Sequence, residues 1–354
     1  MTVIRRCPMP VRWTRAFAPA LIPLLAIVVS LLLFGGFVSL AGVSALEVYH
    51  SIYRGAFGTW YSWQNTLTRA APLMLTALAT ALPARLGLIV IGGEGAVVLG
   101  GLAAALAGLA LAQADAWTAL IGMAAAAMLA GGLLIGAAGW LRHARNVNET
   151  ISSLLFNYIA IAVLSFLVVG PLRDPETLNK PSTQHIGEAH MLGVMGDTSI
   201  HLGFVYGVVA CVLLWLLYKR TTFGFAVDMI GGNVRAARLS GLPVGRIVFL
   251  TCALGGAAAG LAGMVEVAAV HGRANTSLNA GYGYEGILIA FAARHHPLGI
   301  VPLAILFGGI RAASGLLQRD HDLPDATSLV LQGMIFVLIL AGEALYARLG
   351  ARRA

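Results

Sequence analysis

Lysine is almost missing. Of the 23 basic residues only Lys180 and Lys219 are lysines, and neither follows a glycine. A phosphate-cradling loop needs Gly-x-x-x-x-Gly-Lys-[Ser/Thr], because its lysine reaches the β/γ-phosphates. The chain is therefore not itself a P-loop ATPase. Cysteine is as sparse: Cys211 and Cys252 lie inside apolar runs and Cys7 lies near the N-terminus. Neither a disulfide framework nor a Cys-x-x-Cys metal site can be built from them. Nine histidines are scattered, and only His295 and His296 adjoin. Helical neighbours point about 100° apart, unlike the i, i+4 metal pair of His-Glu-x-x-His, so with Pro297 next they mark a tight turn. Ser314, in GIRAASG, lacks the Gly-x-Ser-x-Gly context of a hydrolase nucleophile. No paired catalytic constellation and no metal site emerge.

Charge is scarce too, at 11% of residues, against roughly a quarter in a soluble domain. What replaces it is apolar: 58% of the chain, in runs near twenty residues. That pattern is a polytopic, all-α membrane protein. The formal charge of +8 does not point to nucleic acid, because the basic residues cluster at the ends of the apolar runs and set orientation.

About ten membrane segments are expected, near 18–42, 69–84, 86–112, 116–141, 149–171, 201–218, 247–271, 284–296, 297–317 and 327–347. The basic N-terminus with VSA at 43–45 has the outline of a signal peptide. Its apolar run exceeds the 7–15 residues of an h-region, so it reads as an uncleaved first span. With that end inside, sixteen basic residues fall inside and six outside, with Arg311 within a segment. The layout is a cytoplasmic tail 1–17, one permease domain 18–347 and a tail 348–354. A basic inside loop 219–246 and an outside loop 171–200, with acids Asp174, Glu176, Glu188 and Asp197, interrupt it. The outside loop is either a docking surface for an extracytoplasmic protein or a solvated connection; Asp320–Asp325 adds a second acidic outside stretch.

The second and eighth segments are short for a bilayer of about 30 Å. They and the Gly-rich start of the third are expected to be broken helices, which point to a solute path. Gly92-Gly93-Glu94-Gly95 and Gly283-Tyr284-Glu285-Gly286 both read Gly-x-Glu-Gly, in segments running in opposite directions, as an inverted repeat requires. Glu94, Glu266 and Glu285 lie within or at the edges of apolar runs, where an acid at mid-span costs about 2.5–3.5 kcal/mol. Asn148, Glu149, Ser152, Ser153 and Asn157 open the fifth segment. Glu94, Asn157, Glu266, Tyr284 and Glu285 are the candidate pathway residues, with two readings for each. The acids can face solute, or cap a broken helix or pair with Arg85 or Arg311. Asn157 can bind solute or join helices. Tyr282 and Tyr284 can stack on a planar ligand or sit in an interfacial belt. Gly256, Gly260 and Gly263 ahead of Glu266 suit close helix packing.

Within the inside loop, Asn233 is placed to cap a short helix, Val234–Ser240, that closes at Gly241 before Pro243. It carries Arg235 and Arg238 and is either an ordinary positive-inside loop or a docking element.

GGNVRAARLSG, followed by the small-residue run 255–263, resembles the coupling segment of ATP-binding-cassette importer permeases for branched-chain amino acids, simple sugars and nucleosides. The resemblance continues in APLMLTALATALPARLGLIVIGGEGAVVLGGLAAALAG, NETISSLLFNYIA and GYGYEGILIAFAARHHPLGIVPLAILFGG. NETISSLLFNYIA is similar to the nucleoside branch, while Val90 departs from its usual Asn and Arg294-His295-His296 from its usual turn. The resemblance implies a permease of the bacterial inner membrane, working by alternating access on purine-type nucleosides, with simple sugars or other small metabolites as the alternative. It implies a second related permease, an ATPase with two fused cassettes and an extracytoplasmic binding protein. ATP binds to that partner, with no cofactor in this chain. Asn233, Arg235, Ala236, Ala237 and Gly241 would couple it to the ATPase. An ion-coupled secondary transporter and an intramembrane enzyme are the rival classes: the first moves solute alone in liposomes, the second forms product with no ATPase present.

Overall fold

The computed structural model describes residues 12–177 and 180–351, with side chains between 25 and 342. Residues 1–11 of the expected N-terminal tail, with Arg5, Arg6 and Cys7, and Arg352 and Arg353 of the C-terminal one lie outside the described residues. The described residues are helical and contain no strand, only the isolated bridges Ser182–Asn275 and Val194–His201. In chain order the helices are α1 (Arg12–Leu40), α2 (Ala45–Ala56), α3 (Trp60–Ala84), α4 (Gly93–Ala110), α5 (Ala116–Arg145), α6 (Glu149–Val169), α7 (Gly203–Arg220), α8 (Thr222–Gly232), α9 (Val234–Leu239), α10 (Val244–Glu266), α11 (Tyr282–Ala292), α12 (Pro297–His321) and α13 (Ala326–Ala351).

Each of the ten expected segments overlaps one of these helices, but the number of membrane spans among the described residues is smaller than the ten expected. Among the described residues, seven helices are long and apolar enough to cross a membrane, or eight if the bent pair Leu25–Leu40 and Ala45–Ala56, kinked by 117°, is one span. The short second segment is a correction. It belongs to α3, which runs 25 residues from Trp60, with Thr59 capping it through Ser62 N. The polar stretch from Ser62 hid that start, yet Ser62, Gln64 and Thr66 are buried. The Ser62 and Thr66 hydroxyls donate to the carbonyls of Arg54 and Ala56, and Gln64 Oε1 accepts from Ser199 N. The eighth segment is as short as expected: α11 has 11 residues, about 16 Å at 1.5 Å per residue.

The chain divides into two compact units, 53–313 and a second made of 1–52 with 314–354. In the smaller one, α1 packs on α13, the Tyr49 hydroxyl donates to Leu31 O, and Ser51 Oγ lies 2.9 Å from His321 Nε2. In the larger one, α10 is central, packed on α3, α4 and α5. Its small-residue face does what its spacing predicts. Gly256 and Gly260 lie against Ala127 and Gly131 of α5, and Gly263 lies against Val97 and Gly101 of α4, with no room for a side chain.

The described stretch 180–200 of the outside loop is tied to that unit. Thr183 N and Ile186 N donate to Ala274 O and Gly272 O at 2.9 Å each, and Leu192 N donates to Ala268 O at 2.7 Å. Ile186 and Leu192 are buried against α4, α5, α6 and α10. His201 closes the loop ahead of α7 and is 3% exposed. Burial pushes its imidazole from the usual 6.5 down to about 4. The opened loop takes up a proton between those values and the closed loop does not, so loop stability falls as pH drops from 6.5 to 4. Exchange protection factors at 194–202, corrected for the intrinsic pH dependence of amide exchange, should fall across that window as pH drops, and His201→Phe should flatten the dependence. A loop equally protected at pH 7 and 4.5 would contradict this.

Candidate functional site

The two Gly-x-Glu-Gly motifs meet. Both open a helix, α4 and α11, and the helix starts are packed together. The α11 N-terminus presents unpaired N–H groups with no side chain to cap them, since its capping residue is Gly281 (φ 86°). Glu94 does it instead. Its Oε1 accepts from Gly281 N at 2.7 Å and its Oε2 from Gly283 N at 2.5 Å. The carboxylate also sits at the positive ends of both helices, which favours it there. Such a cap requires near contact of the two backbones, and a Cβ on Gly283 would lie 2.6 Å from the Gly93 carbonyl carbon.

Around this joint the other candidate residues assemble. Asn157 of α6 is fully buried, and its Nδ2 donates to the Tyr284 hydroxyl at 2.6 Å. Its Oδ1 has no hydrogen-bond partner among the described residues. Tyr284 is 39% exposed, so its ring has one open side. Glu285 accepts from Arg311 Nη1 at 2.5 Å, Arg311 Nη2 donates to Ala280 O at 2.9 Å, and the guanidinium lies 4.3 Å over the Tyr282 ring. Tyr282 bonds on to Glu266.

After Glu266 the backbone widens into a π-turn, Val267–His271. In an α-helix a residue and its fifth successor are about 140° apart; the wider turn brings them towards one face. His271 Nε2 is accordingly 3.7 Å from Glu266 Oε2.

The irregular stretch before α4 is held by the start of α6. Asn148 caps α6 through Thr150 N and Ile151 N. Thr150 Oγ1 donates to Ile89 O at 2.8 Å, and Ser153 Oγ accepts from Ile91 N at 3.1 Å. Non-helical backbone at membrane depth needs such partners. Glu149 turns away to Arg142, 3.3 Å distant.

The basic segment is a separate construction. Asn233 Oδ1 accepts from Arg235 N at 2.9 Å and Ala236 N at 3.1 Å, starting α9. Gly241, at φ 79°, ends it, with Leu242 N donating to Ala237 O at 3.1 Å. Arg235, Ala236 and Arg238 face outwards, whereas Ala237 is buried and packs inwards. Ahead of it stands α8, a helix that periodicity did not reveal. The guanidinium of Arg85, just after α3, lies 3.5 Å from Asp228 of α8 and 4.7 Å over the Tyr218 ring of α7.

The family described as branched-chain amino acid transport system, permease component, matches residues 62–340. The chain belongs to that family. Three relatives align along nearly all of the permease. The glucose ABC transporter permease protein TsgB13 of Haloferax volcanii is 29% identical over 91% of this chain and 87% of its own. The guanosine ABC transporter permease protein NupP of Bacillus subtilis is 29% identical over 92% and 94%. The nucleoside ABC transporter permease protein NupB of Lactococcus lactis is 24% identical over 90% of each chain.

All five candidate pathway residues thus stand in one cluster at the permease's α11 start. For Glu94 and Glu285 the contacts are those of a helix cap and an ion pair. Arg311 and Tyr282 are integral to the cluster. Arg311 was visible as a basic residue within an apolar segment, but its bridge to Ala280 was not. Arg85 was a candidate partner for a membrane acid and instead joins α3 to α7 and α8.

Proposed function

We propose that this permease is the membrane subunit of an ATP-driven importer for nucleosides, favouring purines. The observation that carries the reading is the Asn157–Tyr284 pair. A half-open aromatic ring beside an amide oxygen with no partner among the described residues suits a planar base, which can stack and donate at once. The guanosine and nucleoside permeases among its full-length relatives support it. The ten helical segments, with the N-terminus inside, form one permease domain, 18–347, in the bacterial inner membrane. The chain carries no cofactor and hydrolyses nothing; ATP binds to a separate ATPase with two fused cassettes. A second homologous permease completes the pore, and an extracytoplasmic binding protein delivers solute at loop 171–200. Asn233, Arg235, Ala236 and Gly241 face the ATPase and Ala237 seats α9 on the permease. Cassette closure moves α8–α9 and so reopens the cluster of Glu94, Asn157, Glu266, Tyr284 and Glu285 to the other side.

A simple sugar is the second reading, favoured by the glucose permease relative at the same identity. Uptake of labelled guanosine and glucose by the reconstituted complex separates them. Losing a buried hydrogen bond costs about 1–3 kcal/mol, so Asn157→Ala should raise the KM for guanosine about ten-fold or more. Glucose uptake with no guanosine competition, or uptake by this chain alone under an ion gradient, would remove the nucleoside importer.

A further inference from the structure

A valley of about 480 Å³ runs between α5 and α10, and all ten residues that line it are apolar. Both helices are long and apolar enough to cross a membrane. A polar solute finds no partner in such a valley, whereas a hydrocarbon loses nothing there. The floor is made of Gly132, Ala253 and Ala257, and a Cβ on Gly132 would lie 3.0 Å from Ala253 O. The rims are Leu129, Leu133 and Leu250, which are 65%, 61% and 48% exposed. Helices associate in lipid by setting small residues against one another. Here the small residues are recessed and the leucines hold a facing helix off them, but a single flexible chain fits between.

The valley carries charge at one end. On α10, Leu250, Ala253 and Ala257 follow Arg246 by 4, 7 and 11 residues, a spacing that sets all four along one line of the helix. Arg246 is exposed, and its guanidinium has no ion pair or hydrogen bond among the described residues. At the same level, between the contacts of Gly139 with Cys252 and of His143 with Gly245, Trp140 of α5 is 51% exposed. Tryptophan at such a height is the residue of the membrane–water interface. The rise from Arg246 to Ala257 is about 16 Å of helix, and one leaflet of a 30 Å hydrocarbon core is about 15 Å.

We infer that the valley between α5 and α10 holds one acyl chain of an anionic phospholipid, with its phosphate at Arg246 and its chain end near Ala257. Only the orientation is taken from the importer reading, and it places this lipid in the inner leaflet. The apolar walls accept any lipid tail; Arg246 supplies the choice of headgroup, since a basic side chain at the membrane surface attracts anionic lipid.

The test gives the full-length permease, in phosphatidylcholine nanodiscs, a phosphatidylglycerol with a diazirine near the end of one acyl chain. Photolabelled residues are mapped by mass spectrometry. Labels should concentrate at 125–133 and 249–257, above the level at the exposed Leu155 and Phe166 of α6. Unlabelled phosphatidylglycerol should compete about five-fold better than phosphatidylcholine in the valley and no better at α6. Arg246→Gln should erase that preference and Arg246→Lys should keep it. Ala253→Leu with Ala257→Leu fills the floor and should remove valley labelling. Should that variant lose its fold, the Arg246 pair decides, and a preference that survives Arg246→Gln overturns the inference. Valley labelling no stronger than at α6 means bulk lipid only and overturns it as well. Labelling that disappears once a second permease is bound gives the valley to that subunit and equally overturns it.

Discussion

Arg311→Leu should destabilise the permease more than any other single replacement at the cluster. Arg311 neutralises Glu285 at 2.5 Å, binds Ala280 O at 2.9 Å and covers the Tyr282 ring. Removing it leaves Glu285 buried without its cation, and breaking one side of a buried pair costs about 3–5 kcal/mol. Glu94 and Glu266 also lie within its field, so the loss is shared. The whole stability of a domain is on the order of 5–15 kcal/mol, which makes this a large fraction. Adding Glu285→Leu removes the stranded charge and should recover most of the loss, since two apolar groups can replace a buried pair at little cost. The half-life of monodisperse protein in detergent at fixed temperature measures both, as membrane proteins of this size rarely unfold reversibly. A single variant as durable as wild type, or a double variant worse than the single, would show that the pair does not hold α11 to α12.

The cluster was legible residue by residue but not as an assembly. Glu94 and Glu285 stood out because a charge in an apolar run demands a partner. The shared Gly-x-Glu-Gly pattern placed them at two helix starts. That those starts touch is a tertiary fact, fixed by the absence of a Cβ at Gly283 and by N–H groups of residues 281 and 283 that no local side chain can cap. Asn233 and Gly241 could be read as the two ends of α9 because capping is local chemistry. α8 could not: Thr222–Gly232 has three glycines and only Asp228 as a charge, so neither periodicity nor polarity marks it. The start of α3 failed for the opposite reason. Its polar residues imitate a loop, and only the Arg54, Ala56 and Ser199 backbone groups show why Ser62, Thr66 and Gln64 are buried in a helix. Turn 294–296 was marked by Pro297, but the left-handed backbone of Arg294 and His295 is invisible in residue types that do not require it.

Substituting the two glycines of the joint should give opposite results, although they face each other. A Cβ on Gly93 would meet Gly283 Cα at 3.6 Å, an ordinary contact, so Gly93→Ala should be tolerated. A Cβ on Gly283 would lie 2.6 Å from the Gly93 carbonyl carbon and closer still to Glu94 N. Those are backbone atoms with no rotamer to change, so α11 or α4 must move. Either movement lengthens the bonds from Gly281 N and Gly283 N to Glu94, now 2.7 and 2.5 Å. Overpacking costs about 1–3 kcal/mol, and two weakened charge-assisted hydrogen bonds add about as much again. Gly283→Ala should therefore abolish solute uptake and shorten the protein's half-life sharply. Gly333→Ala, on α13 with nothing within 4 Å of an added Cβ among the described residues, should be neutral or slightly stabilising. The asymmetry is the decisive measurement. Equal loss in Gly93→Ala and Gly283→Ala would mean that helix propensity at the two starts matters, and that the Glu94 cap does not set the joint.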